Sequence, residues 1–428
     1  MKIINVSEPA VEAARLRRAT AMPDSLLEDA KIIMKGVAER GDSAVLDYTA
    51  KFDGAWPGSL RVSDQEIKQA YSQVTRDQVK AVRLMKERLA KSELAVLKRL
   101  KGIAVSSDGV RIDRMIKPVA SVGCYIPGGK ARYPSTAVMC AVPAKAAGVK
   151  RIVAISPPRK DGTIDPLTLV AADICGVDEF YKAGGAQGIA ALAYGTESIK
   201  PVSKIVGPGG MFVTAAKLIA SGSVSTDMVA GPTELLVYAD ATADPRLVAI
   251  DLISQAEHGA DTICGLVTAS EKLASQVQAQ VQAMAEKITR SDIVKSSLQN
   301  NGFVAVCKNE GACIDFVNEF APEHLEIMCK NADSVAKKID SAGLVLVGQY
   351  APSSASDYLL GSNHVLPTLG FGKSRASLSV LDFVKIVNTV RVTKAGLAKV
   401  DRSVREMASA EGLLNHYEAV RARTDEEE

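Results

Sequence analysis

Four histidines are the whole imidazole supply of this 428-residue chain, and His258, His324, His364 and His416 all fall in its C-terminal part. Two follow a glutamate directly, in QAEHGAD (Gln255 to Asp261) and APEHLEI (Ala321 to Ile327); His364 follows Asp357, and His416 follows Glu411, within two helical turns. Neutral imidazole is the commonest zinc ligand, and carboxylate or carbonyl oxygen can complete its shell. Gln255 and His258 are three apart near an expected helix end, so both can face one point. Glu323 beside His324, on a turn that Pro322 forces after a helix, suits proton transfer near neutral pH. A histidine taken alone is more often a hydrogen-bonded structural group. The four taken together with their acids reverse that preference. No H-x-x-x-H or H-E-x-x-H motif is present, so a metal would have to gather ligands from distant segments.

Three glycine-rich turns follow expected strands: Tyr125 to Ser135, Ala183 to Gly195, and Gly207 to Lys217. Each could admit a phosphate, because glycine lets the backbone approach an anion and the next helix offers free amides. None matches G-x-G-x-x-G, and the near P-loops fail: Ala131 follows Gly129-Lys130, and Gly372-Lys373-Ser374 lacks its upstream glycine. For any one loop alone, a plain turn is the stronger reading.

Composition narrows the classes. Lysine plus arginine (52) nearly balances aspartate plus glutamate (49), leaving +3 and no field for a polyanion or an acidic membrane surface. Aromatics are 4% of residues, with Trp56 the one tryptophan, which argues against base-stacking nucleic-acid binders. No stretch approaches the ~18 apolar residues of a membrane span, and MKIINVSEPA lacks a signal-peptide core. Seven cysteines without a C-x-x-C pair read as reduced packing residues, and the expected location is cytoplasmic.

The elements that must position these residues follow from periodicity. The first hundred or so residues read as charged helices, with a capping box from Ser63 to Glu66. From Lys117 onward, β-branched runs alternate with glycine turns and alanine-rich helices, as in RIVAISPP and ELLVYADATADPRLVAIDLISQAEHG. The expected class is α/β, with two Rossmann-like doubly wound parallel sheets, possible products of an old duplication. A small strand-and-helix tail follows Val387 and ends in TDEEE.

The blocks VGCYIPGGKARYPSTAVM, KAGGAQGIAALAYGTESI, KIVGPGGMFVTAAK, MVAGPTELLVYAD, DLISQAEHGAD, NEFAPEHLEI and SNHVLPTLG resemble, in order, the histidinol dehydrogenase family. The resemblance implies oxidation of L-histidinol through histidinal to L-histidine, the last step of histidine biosynthesis, with two NAD+ reduced. It also implies one zinc per subunit, held by Gln255, His258, Asp357 and His416, the last from a partner in an intertwined homodimer. Glu323 and His324 would be the acid–base pair. Thr233, His364 and Glu411 would join Gln255, His258, His324, Asp357 and His416 around the substrate, and NAD would lie on Tyr125, Gln187 and Gly210.

The corresponding segments are 1–112, helical and partly packed on the third segment; 113–234, the NAD side; 235–386, metal and catalysis; and 387–428, a swapped tail. Two positions depart from the family pattern. Gly210 stands where the turn is usually GPGN, and Thr233 where the next block is usually GPSE. They keep open a paralogous zinc and NAD enzyme acting on another small polar alcohol, such as sulfopropanediol. A non-catalytic, metal-stabilised dimer is the third reading.

Overall fold

The computed structural model describes residues 1–18, 23–128, 132–228 and 231–424. The near P-loop at Gly129-Lys130-Ala131 and the acidic end from Asp425 lie outside the described residues.

Short β-branched runs bounded by glycine turns form two parallel sheets, each buried on both faces. The five-stranded sheet has the order Glu179–Lys182, Arg151–Ser156, Ser121–Tyr125, Lys204–Val206, Ser225–Thr226. The six-stranded sheet has the order Lys2–Val6, Phe303–Cys307, Ile263–Thr268, Glu234–Ala239, His324–Met328, Leu344–Val347. Setting aside the N-terminal strand, both sheets run third, second, first, fourth, fifth in sequence. Each therefore has a switch point between its first and fourth strands, where doubly wound folds open a crevice. The repeated order is the arrangement a duplication would leave.

The N-terminal region is not purely helical. KIINV pairs in parallel with Phe303–Cys307, and the helix Pro9–Arg18 packs on the helix Glu310–Phe320. A five-residue strand whose partner lies some three hundred positions away has no local signal to announce it. The helices Asp24–Arg40 and Asp42–Asp53 instead cover the five-stranded sheet through the helices Gly185–Tyr194 and Met211–Ala220. The Ser63–Glu66 capping box forms and opens the helix Asp64–Ser72.

A third sheet is antiparallel: Ile103–Ser107, Val110–Pro118 and Val384–Val392. It leads into a helical hairpin, Lys394–Ala410 and Leu414–Thr424, whose N-terminus meets the tip at Asp108 and Gly109 through Thr393 and Lys399. This arm exposes apolar side chains that a lone chain would be expected to hide: Ile103, Val105, Ile386, Val390, Met407 and Leu414. No described helix is long and apolar enough to cross a membrane. All seven cysteines are unpaired, and six are buried, as expected of packing residues.

Candidate functional site

The strands Glu234–Ala239 and His324–Met328 are neighbours in register, His324 opposite Leu235, so their amino ends bring Thr233 and Glu234 against Glu323 and His324. The helix Glu310–Phe320 stops at Ala321, a non-glycine residue at φ +48°, and Pro322 bars its continuation. That turn aims Glu323 inward. Its Oε2 accepts from Thr233 Oγ1 at 2.9 Å and from the Glu234 amide at 2.7 Å. The Glu323 amide donates back to Glu234 Oε2 at 3.2 Å.

Glu234 is fully buried, and burial pushes its carboxyl pKa up against the pull of Arg17. Arg17 pairs with it from the N-terminal helix and stacks 3.9 Å over the Phe320 ring. A buried acid left without its partner costs about 3–5 kcal/mol, so this helix supports the turn that carries Glu323. Sequence reading missed both residues, because nothing local links positions 17 and 234.

His324 is 3% exposed, with Nδ1 3.2 Å from the Glu234 carbonyl and 3.6 Å from Glu323 Oε2. Nδ1–H therefore donates to the carbonyl, which leaves Nε2 as the nitrogen free of a backbone partner. Nε2 has no hydrogen-bond partner among the described residues and lies 3.5 Å from Asp357 Oδ1. Burial opposes protonation, but the Glu323 and Asp357 carboxylates outweigh it and push the imidazole up to about 10.

Asp357 follows the short helix Ser353–Ser356. Burial would raise its pKa, yet His324, His364 and His258 together hold it below the usual range, so it stays ionised. His364 donates from Nδ1 to the Asp357 carbonyl at 2.8 Å and turns Nε2 to Thr136 Oγ1 at 3.4 Å. Burial lowers its pKa and keeps it neutral. Thr136 belongs to the helix after Tyr125, so His364 bridges the two sheets.

Gln255 is buried near the end of the helix Pro245–Ala256, its Oε1 3.5 Å from Ser353 Oγ. His258 Nδ1 lies 3.1 Å from the Gln255 carbonyl. Beneath them lies a pair that sequence reading missed, Glu326 and Asp251, which burial pushes up to about 8 and about 6. Glu326 accepts from the Ser353 amide at 2.6 Å and so anchors the turn that carries Asp357.

His416 and Glu411 do not join this group. Both are exposed on the C-terminal hairpin, lining a shallow apolar groove with Met407 and Leu413. Among the described residues, no three His, Cys, Asp or Glu side chains are close enough to share an ion. Gln255, His258 and Asp357 offer the nitrogen and oxygen donors that suit a divalent cation, with Gln255 buried, Asp357 half-buried and His258 exposed.

The other candidates gather at the carboxyl edge of the five-stranded sheet. Tyr125 ends the strand at the switch point, and its hydroxyl accepts from the Gly185 amide at 3.1 Å. Gly207 has φ +114°, and a Cβ there would stand 2.2 Å from the Tyr125 carbonyl oxygen, so only glycine fits. A buried ion pair, Lys217 with Asp227, clamps it: Lys217 donates to its carbonyl at 2.9 Å, and its amide donates to Asp227 at 2.7 Å. Gln187 is 1% exposed, and neither amide atom has a partner among the described residues. Gly210 caps the helix Met211–Ala220 with open space where a Cβ would be. An orphaned amide beside a glycine cradle fits a bound dinucleotide.

An α/β protein is thus defined, with two doubly wound sheets and a buried Glu–His pair at the amino end of one of them. The chain belongs to the histidinol dehydrogenase family, whose model matches residues 16–424. A relative named histidinol dehydrogenase from Methanocaldococcus jannaschii is 42% identical over 408 residues, 95% of each chain. One of the same name from Methanosarcina mazei is 40% identical over 422 residues, covering 99% of this chain and 97% of the relative. The crystal structure of histidinol dehydrogenase from Elizabethkingia anophelis superposes with a TM-score of 0.92 at 36% identity, covering 99% of this chain and 98% of that one.

Proposed function

We propose that the protein oxidises L-histidinol through histidinal to L-histidine, reducing two NAD+, in a homodimer with shared active sites. The buried contact of His324 Nε2 with Asp357, backed by Glu323, carries this reading. His324 takes the hydroxyl proton at Nε2 while hydride passes from the carbinol carbon to NAD+, giving the aldehyde. Glu323, held by Thr233 and the Glu234 amide, takes a proton from water as the water oxygen bonds to the aldehyde carbon, and the aldehyde oxygen takes back the proton held on His324 Nε2, which gives the hydrate and returns His324 to its neutral form. His324 takes a proton from the resulting hydrate as its hydride passes to a second NAD+, leaving the acid. Zinc on Gln255, His258, Asp357 and His416 of the partner subunit would supply positive charge that orients the amino alcohol and offsets Asp357 beside His324, bringing the imidazole down from about 10 so that Nε2 is unprotonated before the first proton transfer.

The apolar arm supports the dimer: an uncovered face carrying two site residues that are remote from their own chain's cluster is what an exchanged segment requires. Tyr125, Gln187 and Gly210 would hold the dinucleotide. Because the Gly210 Cβ position is open and its φ of −65° suits any residue, Gly210→Asn should be accommodated. It is expected to tighten NADH binding about threefold to tenfold in a fluorescence titration, the worth of one neutral hydrogen bond. Unchanged affinity would place the cofactor elsewhere.

Near-identical names across nearly full-length relatives favour histidinol over the sulfopropanediol alternative, and Thr233 keeps the hydroxyl that Glu323 uses. NADH formation with histidinol against 2,3-dihydroxypropanesulfonate tests the choice. Turnover of histidinol is expected; turnover of the sulfonate alone would select the paralogous function.

A further inference from the structure

The helix Asp42–Asp53 lies alongside the helix Gly185–Tyr194 and is fixed at its far end. The Asp42 amide donates to Glu197 Oε2 at 2.7 Å, and Asp42 accepts from Ser198, just beyond the C-terminus of Gly185–Tyr194. The two helices are therefore antiparallel, and Asp53 arrives beside the opposite end, where Gly185 and Gln187 begin the helix. Its charge reaches the Tyr125 hydroxyl. In the last turn of the first helix and the first turn of the second, four buried side-chain atoms have no hydrogen-bond partner among the described residues: Thr49 Oγ1, Asp53 Oδ2, and Gln187 Nε2 and Oε1. Thr49 and Gln187 are 0% and 1% exposed. Unpaired buried atoms concentrated in one place normally mark an absent partner.

Dinucleotide folds usually take an acid from just after the second strand to bind the adenosine ribose diol. Here that strand ends Ser156–Pro157–Pro158, with no carboxylate. Pro157 instead packs tightly against Gly128 and Gly184. The end of Gly185–Tyr194 follows the edge strand Glu179–Lys182, two strands from the switch point, so it suits the adenosine rather than the nicotinamide end. Burial pushes the Asp53 carboxyl up to about 6, and a diol donating two hydrogen bonds would favour its ionised form.

We propose that Asp53, from the N-terminal helical segment, binds the adenosine ribose diol and selects NAD over its 2′-phosphorylated form. This rests on the cofactor placement proposed above. The carboxylate accepts from the 2′ and 3′ hydroxyls, and its negative charge repels a 2′-phosphate.

The test is fluorescence titration of the purified enzyme with NADH and with NADPH, for wild type, Asp53→Asn and Gln187→Ala. For Asp53→Asn, NADH affinity should fall about tenfold or more, and NADPH affinity should rise. A gain of NADPH binding cannot come from misfolding, and KM for the alcohol should stay unchanged. If Asp53→Asn leaves both affinities as in wild type while Gln187→Ala weakens NADH, the Asp53 assignment is overturned and the cofactor site stands. If neither variant changes NADH binding, the cofactor placement itself fails, and Asp53 with it.

Discussion

Glu323→Gln is expected to separate the two oxidations. The amide oxygen of glutamine can still accept from Thr233 Oγ1 and the Glu234 amide, at 2.9 and 2.7 Å in the native chain, so the turn keeps its shape. Removing the Glu323 charge also relieves Glu234, whose pKa that charge raises. Folding, dimerisation and zinc content should therefore match wild type. What is lost is a base for water. Oxidation of added histidinal should fall about 10²- to 10⁴-fold, the usual worth of a positioned general base. The first hydride transfer uses His324 Nε2 and should persist, so histidinol should give a burst of one NADH per site and then near-arrest. Unchanged aldehyde oxidation would remove Glu323 from the chemistry, and a protein whose metal served only to stabilise a dimer would show no activity to lose.

The parts of this machinery that were legible in sequence are those whose logic is local. Glu323, His324 and Pro322 are consecutive, Gln255 and His258 share a helix end, and the βα rhythm announces both parallel sheets. The parts that were not legible depend on contacts across the fold. Thr233 looks from sequence like a wall of the substrate pocket, yet its hydroxyl is bonded to Glu323. Glu234 looks like a strand residue and proves to be a buried hub between Arg17, Leu369 and Glu323. Glu326 and Asp251 sit in otherwise apolar runs. A single acid in such a run is the available signal, but its partner cannot be read from spacing. The strand Lys2–Val6 was hidden for the same reason.

His416 poses the sharpest question, since it sits on an exposed hairpin of its own chain while Gln255 is buried, Asp357 is half-buried beside His324, and His258 is exposed just past the end of the helix that carries Gln255. His416→Ala is expected to lose zinc and histidinol affinity together, and unchanged zinc content would refute its role as a ligand. Where its site lies can be settled by mixing. In an exchanged dimer, each site combines the body of one chain with the arm of the other. His258→Ala and His416→Ala homodimers should each be nearly inactive. Unfolded together and refolded, half of the dimers by chance pair one chain of each kind. One site of such a mixed dimer then carries both defects, and the other carries neither. Activity should recover to about a quarter of wild type, one intact site in four across the statistical mixture. If the arm folded back onto its own body, every site would carry one defect and mixing would restore nothing. The uncovered apolar residues of the arm favour the first outcome, because Val390, Met407 and Leu414, all exposed on one arm, are the kind of surface that marks an interface.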